Sequence, residues 1–92
     1  MKAAREEVYA ALDSERAYQE NRWNASTTTS EGKHSFSEWI AYMEDYLAEA
    51  KHILARTAKQ KAYPDVAHII RKVTAMGVAA MEEHGAPRRE GF

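Results

Sequence analysis

The sequence predicts an all-α domain built from three helices, and three observations support that prediction. Apolar residues recur every three or four positions along most of the 92 residues, which is the periodicity of amphipathic helices. The composition is 45% hydrophobic and 29% charged, with only four glycines and two prolines, as is typical of helical globular chains. Helix start and stop residues, among them Ser35, Pro64 and Gly85, then divide the chain. We therefore expect one helical domain spanning residues 1–92.

Each predicted helix is placed by its end signals. Ser35 followed three residues later by Glu38 is the capping-box pattern at the start of the second helix, and Pro64 is a favoured residue of a first helical turn. The connection between the second and third helices is short, which favours an antiparallel hairpin of these two helices. In chain order the prediction is a helix over 2–23, a Ser- and Thr-rich loop over 24–34, a helix over 36–58, a helix over 64–84 and a tail over 85–92.

The second helix has an apolar surface too wide for one neighbouring helix. A seam at steps of four and three residues is predicted to form the core contact, and it consists of Phe36, Ile40, Met43, Leu47, Ala50 and Leu54. Beside this seam lies an aromatic-rich flank made of Trp39, Tyr42, Tyr46 and Ile53. Two apolar surfaces need two partners, and a chain of this size has a marginal core of its own. We therefore predict that the protein assembles with itself through the second helix into an oligomeric helical bundle.

Composition and charge restrict the classes of function. Without cysteine the chain has neither disulfides nor thiolate ligands for zinc. The formal net charge of −1 argues against binding of bulk nucleic acid, which depends on clustered Lys and Arg. No apolar run approaches the roughly 20 residues that cross a bilayer, and charged residues stand where a signal peptide needs apolar ones. We expect a cytoplasmic protein without a membrane partner.

The first helix changes character along its length. Its first half presents apolar residues such as Val8 and Leu12, whereas Glu15, Gln19 and Arg22 continue the same face with polar groups. Either the helix extends beyond its core into solvent, or its second half lines a polar pocket. Periodicity alone leaves both interpretations open.

Acidic residues are the only candidates for a metal site at helical spacing, and they are Glu44, Asp45 and Glu49 on the second helix, with Glu82 and Glu83 on the third. Asp45 and Glu49 are four residues apart, with Glu44 beside them, and carboxylates at that spacing can bind a hard divalent cation. The competing interpretation is a solvated acidic face with Lys51 nearby. The four histidines form no close helical pair, and no nucleophile motif or phosphate-binding glycine loop is present.

Several of these features together resemble a known family. The residues that carry the resemblance are Glu15-Arg16, Gln19, Trp23, His34, Trp39-Ile40, Met43-Glu44-Asp45 and the run from Arg71 to Glu82. In this order they resemble small phage-encoded proteins whose layout is similar to the MazG branch of the all-α nucleoside triphosphate pyrophosphohydrolases. The resemblance implies an oligomeric helical bundle and a nucleotide-sized ligand. In that superfamily Glu-x-x-Glu on one helix and Glu-x-x-Asp on the next hold magnesium.

The acidic pattern of that family is incomplete in this sequence. Glu44 or Asp45 together with Glu49 supplies part of the first acidic pair, but Ile69 and Lys72 stand where the second pair is expected. Because metal-assisted hydrolysis needs carboxylates to place the cation against the phosphates, we expect nucleotide binding without hydrolysis, no catalytic residues and no cofactor. A phage-type accessory protein of this kind would sequester a nucleotide or nucleotide-derived signal in the host cytoplasm, for example in anti-defence.

The candidate binding residues combine aromatic rings for a base with polar and cationic groups for an anionic, nucleotide-like small molecule. They are Glu15, Gln19, Arg22, Trp39, Tyr42, Tyr46, Arg71 and Lys72. Two alternatives stay open. One is a magnesium-dependent nucleotide pyrophosphohydrolase with Glu44, Asp45 and Glu49 as metal ligands, and the other is a protein-binding or virion-associated helical module that uses the aromatic flank as its interface.

Overall fold

The computed structural model describes residues 2–22 and 34–91. It contains three helices, α1 (Arg5–Arg22), α2 (Phe36–Arg56) and α3 (Lys59–His84), and the described residues include no strand. The predicted all-α class with three helices is confirmed. The Ser- and Thr-rich segment over 24–33 lies outside the described residues, as does Trp23 at the predicted end of the first helix.

The start of α2 has the capping box that the sequence predicts. The Ser35 hydroxyl accepts a hydrogen bond from the Glu38 backbone N–H at 3.1 Å, and the Glu38 carboxylate accepts one from the Ser35 N–H at 2.8 Å. These two bonds satisfy backbone donors that a helix start otherwise leaves without partners. The bond from the Ser35 N–H to the carboxylate also lowers the pKa of Glu38, with smaller contributions from the Ser35 side chain and from nearby His34.

The predicted start of the third helix at Pro64 is wrong, because α3 begins five residues earlier at Lys59. The connection from α2 is only Thr57 and Ala58, rather than the stretch from 59 to 63. Backbone bonds from Lys61 and Ala62 to the Ala58 carbonyl close the extra turn, and the side chain of Ala62 is fully buried. Pro64 has no N–H to donate to the Gln60 carbonyl, and its ring crowds that carbonyl, but the bonds to Ala58 that close the preceding turn do not involve Pro64. The predicted end is confirmed, since Gly85 follows α3 with φ 113° and donates its N–H to the Met81 carbonyl at 2.8 Å.

Helix α3 occupies the centre of the fold. It packs against both α1 and α2, whereas the backbones of α1 and α2 do not approach each other closely in the described part of the chain. The α2 contact is a small cluster in which Trp39 packs with Met76, Ala79 and Ala80. Small side chains on α3 leave room for the indole ring, which is only 2% exposed.

The face of α2 that contacts α3 differs from the predicted one. The predicted core seam is largely exposed at Phe36, Ile40, Leu47 and Leu54. Trp39, by contrast, is buried, and Tyr46 is half-buried against the same cluster. The indole and phenol rings offer more apolar area to the small-residue surface of α3 than the aliphatic seam does. Met43 and Ala50 of the predicted seam are nevertheless half-buried and buried, and Tyr42 of the predicted flank is exposed. The contact line therefore lies between the predicted seam and the predicted flank.

The predicted apolar face of the first helix is also mostly exposed to solvent. Val8 and Tyr18 are about half exposed, and the buried positions of α1 are Glu15 and Gln19. In the described residues, no helix combines the length and apolar character needed to cross a membrane.

Candidate functional site

The second half of α1 is attached to α3 through buried polar groups. Glu15 is 6% exposed and Gln19 is 2% exposed, and both face α3. A buried charge or amide costs free energy unless it is hydrogen-bonded. Both side chains have partners on α3, so α1 ends in a polar contact and not in open solvent.

The Glu15 carboxylate accepts a hydrogen bond from Nε of Arg71 at 2.8 Å. The Arg71 side chain is 30% exposed and also contacts Nδ1 of His68 through Nη1. Charge-assisted bonds of this kind are stronger than neutral ones. The pair compensates the buried charge of Glu15 and fixes the position of Arg71.

Gln19 connects two elements through its amide. Its Nε2 donates to the backbone carbonyl of Lys72 on α3 at 3.3 Å, and its Oε1 accepts from Nη1 of Arg16 at 3.4 Å. Arg16 in turn donates through Nε to Glu82 on α3 at 3.1 Å and forms an ion pair with Glu20. The position of α1 on α3 is thus fixed by a polar network.

A cleft of about 220 Å³ opens beside this network, where all three helices contribute side chains. Four of its residues come from α1, one from α2 and two from α3. They are Glu15, Tyr18, Gln19, Arg22, Tyr46, Lys72 and Met76.

The charge of the cleft is positive on balance. Arg22 and Lys72 contribute two cations, and the one carboxylate in the lining, that of Glu15, is already paired with Arg71. Lys72 Nζ lies 5.8 Å from the centroid of the Tyr46 ring, within the range of a cation–π contact. An exposed ring, Tyr18, lies on the α1 side. The cleft therefore combines cations with aromatic surface.

Five of the eight candidate binding residues meet in this cleft: Glu15, Gln19, Arg22, Tyr46 and Lys72. The other three lie elsewhere. Trp39 is buried and donates its Nε1–H to Glu83 at 2.8 Å. Tyr42 packs edge-on against the His34 ring, with centroids 5.3 Å apart. Arg71 stands behind the cleft, where it binds Glu15.

Tyr18 and Met76 line the cleft but are missing from the candidate set. Both had a signal in the sequence, since Tyr18 precedes Arg22 by four residues and Met76 follows Lys72 by four. Residues four apart share a helical face. Extending each candidate by one helical turn would have found them.

The candidate metal ligands are not part of the cleft lining. Glu44, Asp45 and Glu49 are exposed on α2, and Asp45 and Glu49 border a separate open depression together with Ala48, His52 and Ile53. Within residues 2–22 and 34–91, no group of three or more His, Asp or Glu side chains is arranged to hold a metal ion. The three acids are not brought together with the cationic groups of the cleft.

Comparison with known proteins gives no relative: no family model, no curated protein and no solved structure matches this chain.

Proposed function

We propose that the protein binds an anionic, nucleotide-like small molecule in the cleft between its three helices and does not hydrolyse it. The observation that carries the proposal is the meeting of Arg22 and Lys72 with the rings of Tyr18 and Tyr46. Cations bind phosphate oxygens through charge-assisted hydrogen bonds. Aromatic rings stack on nucleobases, each stack contributing about 1–3 kcal/mol.

The size of the cleft limits how much of a ligand it holds. Its volume of about 220 Å³ is below the roughly 300–1,000 Å³ of pockets that enclose a drug-sized molecule. A nucleotide would place its phosphate at Lys72 and Arg22 and one face of its base against a tyrosine, while its remainder stays in solvent. Affinity would then depend on a few charged contacts.

The absence of hydrolysis in this proposal follows from where the carboxylates lie. Glu15, the carboxylate of the lining, is neutralised by Arg71. The acids Glu44, Asp45 and Glu49 are exposed on α2 and do not line the cleft, so the lining offers no unpaired carboxylate to place a magnesium ion against phosphates bound at Lys72. Binding without turnover removes a ligand from solution. Together with the resemblance to phage-encoded proteins, this supports sequestration of a host nucleotide signal in the host cytoplasm.

The proposed molecule is an assembly whose subunits contain an antiparallel hairpin of α2 and α3. Two observations support the hairpin: the connection is two residues long, and Trp39 near the start of α2 bonds Glu83 near the end of α3. The exposed apolar residues of α2 support self-association through that helix.

Incubation with nucleotides tests the binding and the absence of hydrolysis together. The protein is mixed with adenosine and guanosine mono-, di- and triphosphates and Mg²⁺, separated from free ligand, and denatured, and both fractions are analysed by chromatography. We expect a nucleotide retained with the protein and chemically unchanged. New products that disappear on chelation of Mg²⁺ would establish the pyrophosphohydrolase instead. If no nucleotide is retained and no product forms, the protein-binding module becomes the better explanation.

A further inference from the structure

Four large apolar side chains on the outer side of α2 are left open to solvent. Their exposed fractions are 54% for Phe36, 52% for Ile40, 40% for Leu47 and 36% for Leu54. At 100° per residue they fall within about 40° of one line along the helix. We call these four residues the α2 stripe. A contiguous apolar patch of this kind marks an interaction surface.

The surface of the whole chain is large for its mass. Its accessible area is 7500 Å² for 10.4 kDa, whereas folded monomers of that mass expose about 5,400 Å². The excess of about 2,100 Å² exceeds the roughly 800 Å² that each partner buries in a standard interface. The radius of gyration, 14.9 Å, is likewise above the about 12 Å of a compact domain of this length. By both measures the chain is less compact than a folded monomer of its length.

Charged residues flank the α2 stripe in a pattern that is complementary to itself. Glu44 and Lys51 lie seven residues apart, on the side of the stripe away from the α3 contact, and both are exposed. The geometric centre of this pair lies close to Leu47. When two such helices run antiparallel and cross at Leu47, Glu44 of each helix faces Lys51 of the other.

We propose that a second copy of this chain covers the α2 stripe, with the two α2 helices antiparallel and Leu47 at the twofold axis. This proposal rests on the proposed self-assembly through α2 and specifies its surface and register. Leu47 packs on the partner's Leu47, and Ile40 packs on the partner's Leu54. Glu44 forms an ion pair with the partner's Lys51. The Ile40–Leu54 and Glu44–Lys51 contacts each occur twice because a twofold interface is isologous, whereas the Leu47–Leu47 contact occurs once, on the axis.

The charges favour the antiparallel arrangement over the parallel one. In a parallel pair the twofold axis runs along the helices, so the flank with Glu44 and Lys51 lies on opposite edges of the interface in the two copies and the pair between Glu44 and the partner's Lys51 does not form. Only the antiparallel pair places this flank of both copies on one edge, where the opposite charges attract, with a dependence on salt. The same four apolar residues fit either direction, so the flanking charges select between them.

Single cysteines test the register directly, because the natural chain has none. Leu47→Cys places two thiols at the axis, and we expect a disulfide-linked dimer on mild oxidation, seen by non-reducing electrophoresis. Ile40→Cys alone should not link, since its two copies lie about 21 Å apart at 1.5 Å per residue, beyond the about 7 Å limit between Cα atoms of a disulfide. Ile40→Cys mixed with Leu54→Cys should link. Linking by Ile40→Cys alone, or none by Leu47→Cys, would overturn the proposal.

Charge reversal gives a second test that leaves the apolar residues intact. Glu44→Lys and Lys51→Glu should each raise the dissociation constant of the assembly several-fold at low salt, and the double variant Glu44→Lys/Lys51→Glu should restore it. Sedimentation at varied protein concentration measures all four proteins. If the double variant instead dissociates more easily than either single variant, so that the two losses of affinity add, the Glu44–Lys51 contact is excluded.

The mass of the assembly separates this proposal from ligand binding. Leu47→Asp puts two negative charges at the twofold axis. We expect light scattering to give the native protein a mass that is a multiple of 10.4 kDa and to give the variant the mass of an assembly with fewer chains. The circular dichroism of the variant should still be that of a helical protein. Ile70→Asp is the matched control, an equally apolar exposed residue on α3, and should keep the native mass. If instead Ile70→Asp dissociates and Leu47→Asp does not, the interface is elsewhere. Retention of nucleotide is measured on the same samples, so failure of either proposal is seen independently.

Discussion

Arg71 on α3 donates its Nε–H to the carboxylate of Glu15 on α1 at 2.8 Å, where the Glu15 side chain is only 7% exposed. The two residues are 56 positions apart in the chain. Their ion pair holds the helix that supplies most of the cleft against the helix that supplies Lys72. A buried pair is costly to break from one side, because the remaining charge loses its partner.

We expect Glu15→Ala to lower the free energy of unfolding by about 2–3 kcal/mol, less than for a fully buried pair because Arg71 is partly solvated. Urea unfolding at one fixed protein concentration measures this value. Glu20→Ala is the matched control, since Glu20 pairs with Arg16 at an exposed position of the same helix, and it should cost below about 0.5 kcal/mol. Equal losses in the two variants would show that burial does not strengthen the Glu15 contact.

The Glu83 carboxylate fixes the start of α2 on the end of α3. It accepts hydrogen bonds from Nε1 of Trp39 at 2.8 Å and from the backbone N–H of His34 at 3.1 Å. Glu83→Ala should cost about 1.5–3 kcal/mol, because two bonds to a charged acceptor are lost. Glu83→Gln keeps an acceptor and should cost less.

Fluorescence measures the loss of the Glu83 hydrogen bond at Trp39 itself. Trp23 is first replaced by Phe, so that Trp39 is the one remaining tryptophan. The emission of Trp39 should move to longer wavelength in Glu83→Ala, because the indole loses its hydrogen bond to Glu83 and gains solvent. Glu90→Ala, an exposed position in the tail, should leave both stability and emission unchanged. An unaltered spectrum in Glu83→Ala would contradict the role of this carboxylate.

The lowered pKa of Glu38 makes the cap of α2 sensitive to acid. A carboxylate whose pKa is depressed by folding contributes stability above its unfolded value, and this contribution is lost as the pH falls through the folded pKa. We therefore expect the native protein to exceed Glu38→Gln in melting temperature at pH 7. The difference should shrink below the ordinary pKa of 4.5 and vanish once Glu38 is protonated. A difference that stays constant from pH 7 to pH 3 would show that the charge of Glu38 is irrelevant.

Local signals predict the helices of this protein well. The capping box at Ser35 and the stop at Gly85 involve residues within four positions of each other, so the sequence suffices to find them. The start of α3 differs from the prediction because Pro64 lies inside the helix and not in its first turn. The backbone bonds to the Ala58 carbonyl and the burial of Ala62 show the earlier turn, and neither can be predicted from the proline.

Which side of a helix faces the core depends on residues distant in sequence. Periodicity defines the wide apolar arc of α2, but the choice of Trp39 over Ile40 for the core depends on Ala79 and Ala80, which leave space for the indole. The polar end of α1 is similar, since Arg71 satisfies the buried Glu15 from 56 positions away. Five candidate residues nevertheless meet in one cleft: Glu15, Gln19 and Arg22 come from α1, and α2 and α3 contribute Tyr46 and Lys72.

The most direct test of the binding site is to titrate the nucleotide that the protein retains into two pairs of variants. Circular dichroism first shows that all four variants are helical. We predict that Lys72→Ala and Arg22→Ala each weaken binding by about tenfold or more, since a charge-assisted phosphate contact contributes about 1.5–3 kcal/mol. Glu44→Ala and Asp45→Ala should each change affinity by less than about tenfold, or about 1.4 kcal/mol. The opposite ranking, with the acidic substitutions abolishing magnesium-dependent turnover and the basic ones harmless, would contradict binding in this cleft.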